Sequence, residues 1–176
     1  MSRIQNPTEV SESATALFEQ IRRAAGKVPN AYATIGGHSP AVLATVLGAD
    51  AALAKGALSR QEIEAIRLAV SEINDCDYCV AAHSFIGGKA GLSADAMHQI
   101  REGVDTGEAK RDALLRFVRT VHTTRGTTPA PVLEAVLAAG YSPQQVIEAL
   151  MVIAMIGFTN LFNRVNDTDV DFPRPA

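Results

Sequence analysis

Residues 59–83 read SRQEIEAIRLAVSEINDCDYCVAAH, and the spacing of their apolar positions decides the fold class. Ser59 with Glu62 three residues later is a capping box: the Ser oxygen accepts from the backbone of the third helical residue, and the Glu reaches back to the cap. Ile63, Ile66, Val70 and Ile73 follow on one stripe of a 3.6-residue period. Asn74-Asp75 breaks that period and supplies a side-chain N-cap for a second helix, which holds Cys76 to about Ile86 and closes at Gly87-Gly88. So short a break predicts an antiparallel helical hairpin.

The same reading extends in both directions. A helix fits Ser11 to Ala25, closed by Gly26 with Pro29 as a stop, and Gly36-Gly37-His38 reads as a loop before the next helix. That helix opens at Ser39-Pro40 and runs to Lys55-Gly56. Beyond the hairpin, Ser93 caps a short helix to Glu102, another covers Glu108 to Thr124, and Pro131 to Ala139 makes a further one. Ser142-Pro143 opens the last, which ends near Asn163. Period-2 runs of β-branched residues are nearly absent, so the chain is predicted to be all-α, a helical bundle in one domain over residues 1–176. The stretches from Pro40 and from Pro131, each a helix followed by a Ser-capped helix, hint at an internal helical duplication. The tail, about residues 165–176, has no helical period and is expected to lie extended on the surface or on a partner subunit.

Bulk properties narrow the function. The chain has 176 residues, 47% of them hydrophobic, which is enough for a core without staples. Sixteen basic against 19 acidic residues, with no basic cluster, give no reason to expect nucleic acid or an anionic membrane as a partner. Met1 to Thr8 is polar and lacks the pattern of a secretory signal, so a cytoplasmic protein is expected. The apolar stretch Ala149 to Phe158 is about half the ~20 residues needed to cross a bilayer and reads as a buried helix. In a reducing cytosol, two cysteines spaced C-x-x-C indicate reversible chemistry rather than a structural disulfide.

Cys76, Cys79 and His83 stand at i, i+3 and i+7, one stripe of one helix. Both thiols fall near the helix start, where free N–H groups and the macrodipole stabilise a thiolate. Glu64 lies about as far before the hairpin turn as His83 lies after it, so at ~1.5 Å rise per residue the two reach similar heights and the carboxylate can orient the imidazole. His83 can then take a proton from Cys79. Zinc is the competing use of two Cys and one His, weakened because structural zinc takes four ligands and no other Cys exists. Val80 excludes c-type haem, which needs a His directly after the second Cys. No cofactor or metal is therefore expected. His38, His98 and His122 read as ordinary polar residues, and Asn160, Asn163 and Arg164 either pack near the site or form a helix-end cluster.

The spacing E-x11-C-x-x-C-x3-H, filled by Glu64, Cys76, Cys79 and His83, resembles the alkylhydroperoxidase AhpD-like family of the carboxymuconolactone decarboxylase superfamily. Asp75 to His83 also looks typical of that family, and Asn163 to Asn166 with Asp171-Phe172-Pro173 is similar to its uncharacterised peroxidase-related members. The resemblance implies a thiol peroxidase acting on hydrogen peroxide or organic hydroperoxides. In it Cys79 is the peroxidatic thiol, His83 and Glu64 form a proton relay that includes water, and Cys76 resolves the sulfenic acid as a disulfide. It implies further a protein or small dithiol reductant and a homo-oligomer, whether dimer, trimer or hexamer. Tyr78 departs from relatives that carry a His between the cysteines. Other readings are a lactone-acting enzyme of the same superfamily working through His and Glu, a general thiol-disulfide oxidoreductase, and a non-catalytic helical oligomer.

Overall fold

A computed structural model describes residues 1–175, and among these residues every regular element is helical. The nine helices are α1 (Glu12–Ala25), α2 (Asn30–His38), α3 (Pro40–Leu53), α4 (Arg60–Ile73), α5 (Asp77–Ala90), α6 (Ala94–Glu102), α7 (Ala109–Thr123), α8 (Ala130–Ala138) and α9 (Pro143–Asn166). The all-α expectation holds. The Ser59 capping box forms as read, with the Glu62 N–H donating to Ser59 Oγ at 3.2 Å and the Ser59 N–H to Glu62 Oε2 at 2.7 Å. Ser142 and Gln145 repeat that arrangement at the start of α9. The two stretches compared in the sequence thus share a helix–cap–helix layout, α3–α4 and α8–α9.

α4 is the axis of the molecule. It packs against α5, α6, α7 and α9, and Ile63, Glu64, Ala65, Ile66, Leu68, Ala69, Val70 and Ser71 are all buried. A helix buried almost all round is apolar on every face except where a polar group finds partners. Its Ile66 and Val70 join Leu114, Phe117 and Val118 of α7 and Ala149, Val152 and Ile156 of α9 in the main core, and Cys76 and Cys79 sit in that same cluster. The start of α9 is tied to the loop before α4 by the Glu148 carboxylate, which accepts the Ala57 and Leu58 N–H groups at 2.8 and 2.9 Å.

Three sequence expectations need correction. The stretch read as a loop at Gly36-Gly37-His38 lies in α2, and its glycines serve packing rather than a turn: a Cβ at Gly36 would overlap the Leu43 and Phe18 side chains. Likewise α5 continues through Gly87-Gly88, where a Cβ at Gly87 would crowd Leu92 and Met97, and it ends at Gly91 with φ +97°. The cap of α5 is Cys76 itself, not Asn74 or Asp75.

Val165 and Asn166, read as part of the tail, belong to α9; residues 168–175 carry no helix and fold back on their own chain, and Ala176 lies outside the described residues. Asn30 Nδ2 donates to the Asp169 carbonyl at 2.9 Å, and Lys27 Nζ pairs with Asp171 Oδ2 at 2.8 Å. α9 is long and apolar enough to cross a membrane by length and composition, with 28% of its most apolar window buried. One side packs in the core; Ile147, Leu150, Met151, Phe158, Leu161 and Val165 stand exposed.

The glycine reading is tested by unfolding in urea. Gly36→Ala overpacks the α1–α2–α3 contact and is expected to cost about 1–3 kcal/mol. Gly48→Ala, in α3 with nothing near its Cβ position, is expected to be neutral or to gain about 0.5–1 kcal/mol. Equal effects at the two sites would contradict the packing role.

Candidate active site

Cys76 caps α5 and Cys79 occupies its first turn, because Asn74 ends α4 and Asp75, in the left-handed region at φ 48°, turns the chain back. The Cys76 N–H donates to the Ser71 carbonyl at 3.0 Å, which pins the turn to α4. Both cysteines are free thiols and almost fully buried, with the two Sγ atoms 2.6 Å apart. Contact between two sulfurs so close makes them unequal. The side-chain contact with Cys79 lowers the Cys76 pKa; burial opposes this, while the Cys79 N–H, Asn160 and the Arg164 charge add to it. Cys79 is pushed up, first by its contact with Cys76, then by burial and by the Cys76 charge, with Asn163 and Asn160 pulling the other way. The thiolate expected at the start of α5 is therefore favoured at Cys76 rather than at Cys79.

One turn beyond, His83 Nδ1 lies 2.7 Å from Glu64 Oε2. An ionised carboxylate only accepts, so Nδ1 carries a proton toward Glu64, and in the neutral form of the ring Nε2 is the basic nitrogen. Glu64 is 4% exposed, yet burial, which raises its pKa, is outweighed by the charge and hydrogen bond of His83 and by those of Arg67, and the carboxyl stays below its usual range. Arg67 Nη1 donates to Glu64 Oε1 at 2.8 Å and Nη2 to Asp50 Oδ1 at 2.5 Å. An Asp50–Arg67–Glu64–His83 chain thus links α3, α4 and α5. The hairpin register that joins Glu64 to His83 is the one read from the sequence.

Cys79 and His83 open on a common cavity of about 90 Å³, whose walls include Tyr32, Ile86, Asn163 and Phe172. Cys76 lies behind Cys79 and does not line it. Larger clefts of about 490 and 520 Å³ exist elsewhere, but neither is lined by a cysteine or by His83, so chemistry rather than size selects the site. Asn163 Nδ2 donates to Cys79 Sγ at 3.3 Å. The tail closes one side: Phe172 packs edge-on against Tyr78 with ring centroids 5.7 Å apart, and Lys27 lies over its ring. Tyr78 Oη donates to Asp171 Oδ1 at 2.8 Å and accepts the Ala31 N–H at 3.3 Å. The residue between the cysteines therefore anchors the tail and α2 and takes no part in the His83 chain. Burial, first among the causes, pushes the Tyr78 phenol up and keeps it neutral.

The four residues singled out from the sequence, Cys76, Cys79, His83 and Glu64, come together. Reading the sequence missed Arg67, Asp50, Tyr32 and Phe172, and left Asn163 undecided. Arg67 was visible as an i, i+3 partner of Glu64. Asn160 and Asn163, polar positions on the buried side of an apolar helix, carried a signal of their own. His122 Nε2 meets Asn74 Oδ1 at 2.8 Å, Asn74 Nδ2 donates to Asn160 Oδ1 at 2.8 Å, and His38 Nε2 meets the Gln5 carbonyl at 2.8 Å. His98 stands apart from the dithiol, on the wall of the 490 Å³ cleft. Among the described residues no three His, Cys, Asp or Glu side chains stand together as a metal-ligand set.

Comparison with known proteins agrees with the architecture. Residues 40–116 match the model of the carboxymuconolactone decarboxylase family. No curated protein sequence matches the chain. Among solved structures, the alkylhydroperoxidase AhpD core protein of Ralstonia eutropha JMP134, an uncharacterized peroxidase-related protein, superposes with a TM-score of 0.87 at 22% identity, covering 97% of this chain and 92% of that one. A peroxidase-related protein from Silicibacter sp. TM1040 gives 0.80 at 20% identity over 95% and 89% of the two chains. The debrominase Bmp8 gives 0.74 at 21% identity over 91% and 87%.

Glu64 supplies a pH test. A carboxyl held below its ordinary range stabilises the fold fully above the unfolded value of about 4.3, and that contribution is lost as pH falls through the lower folded value. Glu64→Gln is expected to unfold more easily at pH 7, by about 1–3 kcal/mol. In urea titrations the gap to wild type closes as pH drops below about 4. A gap that stays constant down to the acid limit of folding would contradict an ionised Glu64.

Proposed function

We propose that this chain, an AhpD-like protein of the carboxymuconolactone decarboxylase superfamily, is a dithiol peroxidase that reduces hydroperoxides through Cys79 and Cys76. The observation that carries this reading is positional: Cys79 and His83 line one cavity while Cys76 touches Cys79 from behind. A nucleophile needs access and a base, and a resolving thiol needs only the nucleophile.

The chemistry follows from those positions. Cys79 Sγ attacks the terminal oxygen of the hydroperoxide as its proton passes to His83 Nε2, an S–O bond forms, and the O–O bond breaks. His83 returns that proton to the departing oxygen, which leaves as an alcohol, or as water from hydrogen peroxide. The Glu64 carboxylate fixes the imidazole and stabilises its charged form, and Arg67 holds the carboxylate. The Cys76 thiolate then attacks the sulfur of the sulfenic acid, the S–S bond forms, and hydroxide leaves as water after taking a proton. A dithiol donor, protein or small molecule, returns the pair to the reduced state by exchange. The cavity walls contributed by Ala31, Ala82, Ile86 and Phe172 favour an apolar substituent on the peroxide. The uncovered apolar side of α9 supports a homo-oligomer, and a pair that must be re-reduced suits the cytoplasm.

A lactone-acting enzyme working through His83 and Glu64 would leave the sulfur at the cavity wall without a role. Trapping separates the two readings. With tert-butyl hydroperoxide and a sulfenic-acid reagent, Cys76→Ser is expected to consume one equivalent and carry the label on Cys79. Cys79→Ser is expected to lose at least about 100-fold in peroxide consumption and carry no label. Normal turnover by Cys79→Ser would overturn the proposal.

A further inference from the structure

Asn163 carries a polar atom that the reaction so far leaves unused. It lines the dithiol cavity from α9, is 4% exposed, and gives Nδ2 to Cys79 Sγ, yet its Oδ1 is buried with no hydrogen-bond partner among the described residues. Leaving such an acceptor unmatched is costly, and matching it with a donor is correspondingly rewarding. The neighbouring amide, Asn160, shows the contrast. Its Oδ1 takes a hydrogen from Asn74 and its Nδ2 gives one to Ser71 Oγ, so that amide is satisfied at both ends.

The two ends of one planar amide are held in fixed relation. With Nδ2 on the Cys79 sulfur, Oδ1 is held no more than one amide width from that contact, near where an oxygen must come to meet the sulfur at the ~3–3.5 Å separation of a reacting pair. Apart from His83 and the phenols of Tyr32 and Tyr78, the remaining walls offer little competition. Thr159 turns its hydroxyl to the Ile156 carbonyl, and Pro29, Ala31, Ala82, Ile86 and Phe172 are apolar.

We propose that Asn163 is a substrate-binding residue whose Oδ1 accepts the O–H of a hydroperoxide, aiming its terminal oxygen at Cys79 Sγ. The inference rests on the peroxidase reading for the identity of the O–H compound, though not for its recognition. The site reads R–O–O–H by its terminal hydrogen: a hydroperoxide supplies a donor where a dialkyl peroxide or an ether supplies none. The product alcohol keeps a donor too, so it binds as a competitor.

The test uses tert-butanol and tert-butyl methyl ether, which share their apolar body and differ in the donor. Binding to the reduced full-length protein is followed by ligand-observed NMR, and inhibition of tert-butyl hydroperoxide turnover by steady-state kinetics. Wild type is expected to bind the alcohol about 10-fold more tightly than the ether. Asn163→Leu, close in size but without polar atoms, is expected to bring that ratio near one and to raise KM by about the same factor. A wild-type ratio near one overturns the proposal whether or not the variant folds, and so does a folded Asn163→Leu that keeps the preference. If the preference is present while no hydroperoxide is turned over, the recognition stands and the peroxidase reading fails.

Discussion

A carboxylate inside the central helix is the constraint around which this molecule is arranged. Glu64 sits in α4 between Ile63, Ala65 and Ile66, where a charge without partners would cost several kcal/mol. It is retained because both oxygens are taken, one by Arg67 from its own helix and one by His83 from α5. Arg67 in turn needs Asp50 of α3. A buried charge that requires three helices in register does little for stability overall, but it penalises every arrangement in which those helices slip. The imidazole is thereby held by its Nδ1 at the edge of the cavity.

The dithiol depends on the same register. The turn at Asn74-Asp75 sets Cys76 as the cap of α5 and brings Cys79 one turn before His83. The two sulfurs are unequal in position: Cys79 faces the cavity, and Cys76 touches it without lining that cavity. α9 contributes Asn163 to the cavity wall, and the tail contributes Phe172, anchored through Asp171 to Tyr78 and Lys27. The position between the cysteines has in this chain become a clamp for the C-terminal segment.

Most of this was legible in the chain itself where a local signal and a long-range requirement coincided. The Ser59 capping box, the isoleucine stripe and the C-x-x-C-x3-H spacing each fix a short stretch, and counting residues across the turn joined Glu64 to His83. What stayed hidden was set by packing. Gly36-Gly37 has the composition of a loop but lies in α2, where Phe18 and Leu43 leave no room for a Cβ at Gly36 and Pro7 leaves none at Gly37. Gly87-Gly88 has the composition of a stop and lies inside α5 because Leu92 and Met97 approach there. Asn163 and Phe172 meet Cys79 only through the tertiary fold, more than 80 residues along the chain, and no local period announces such a contact.

The central claim is that the buried pair turns over as a unit. It is tested most directly by single-turnover stoichiometry on the wild-type protein: one equivalent of tert-butyl hydroperoxide is added to the reduced chain, free thiols are titrated, and the peptide containing Cys76 and Cys79 is weighed. The account predicts that both thiols disappear together, that the peptide loses two hydrogens, and that one equivalent of tert-butanol appears. Peroxide left intact with both thiols free, or alcohol formed while both thiols survive, would contradict it.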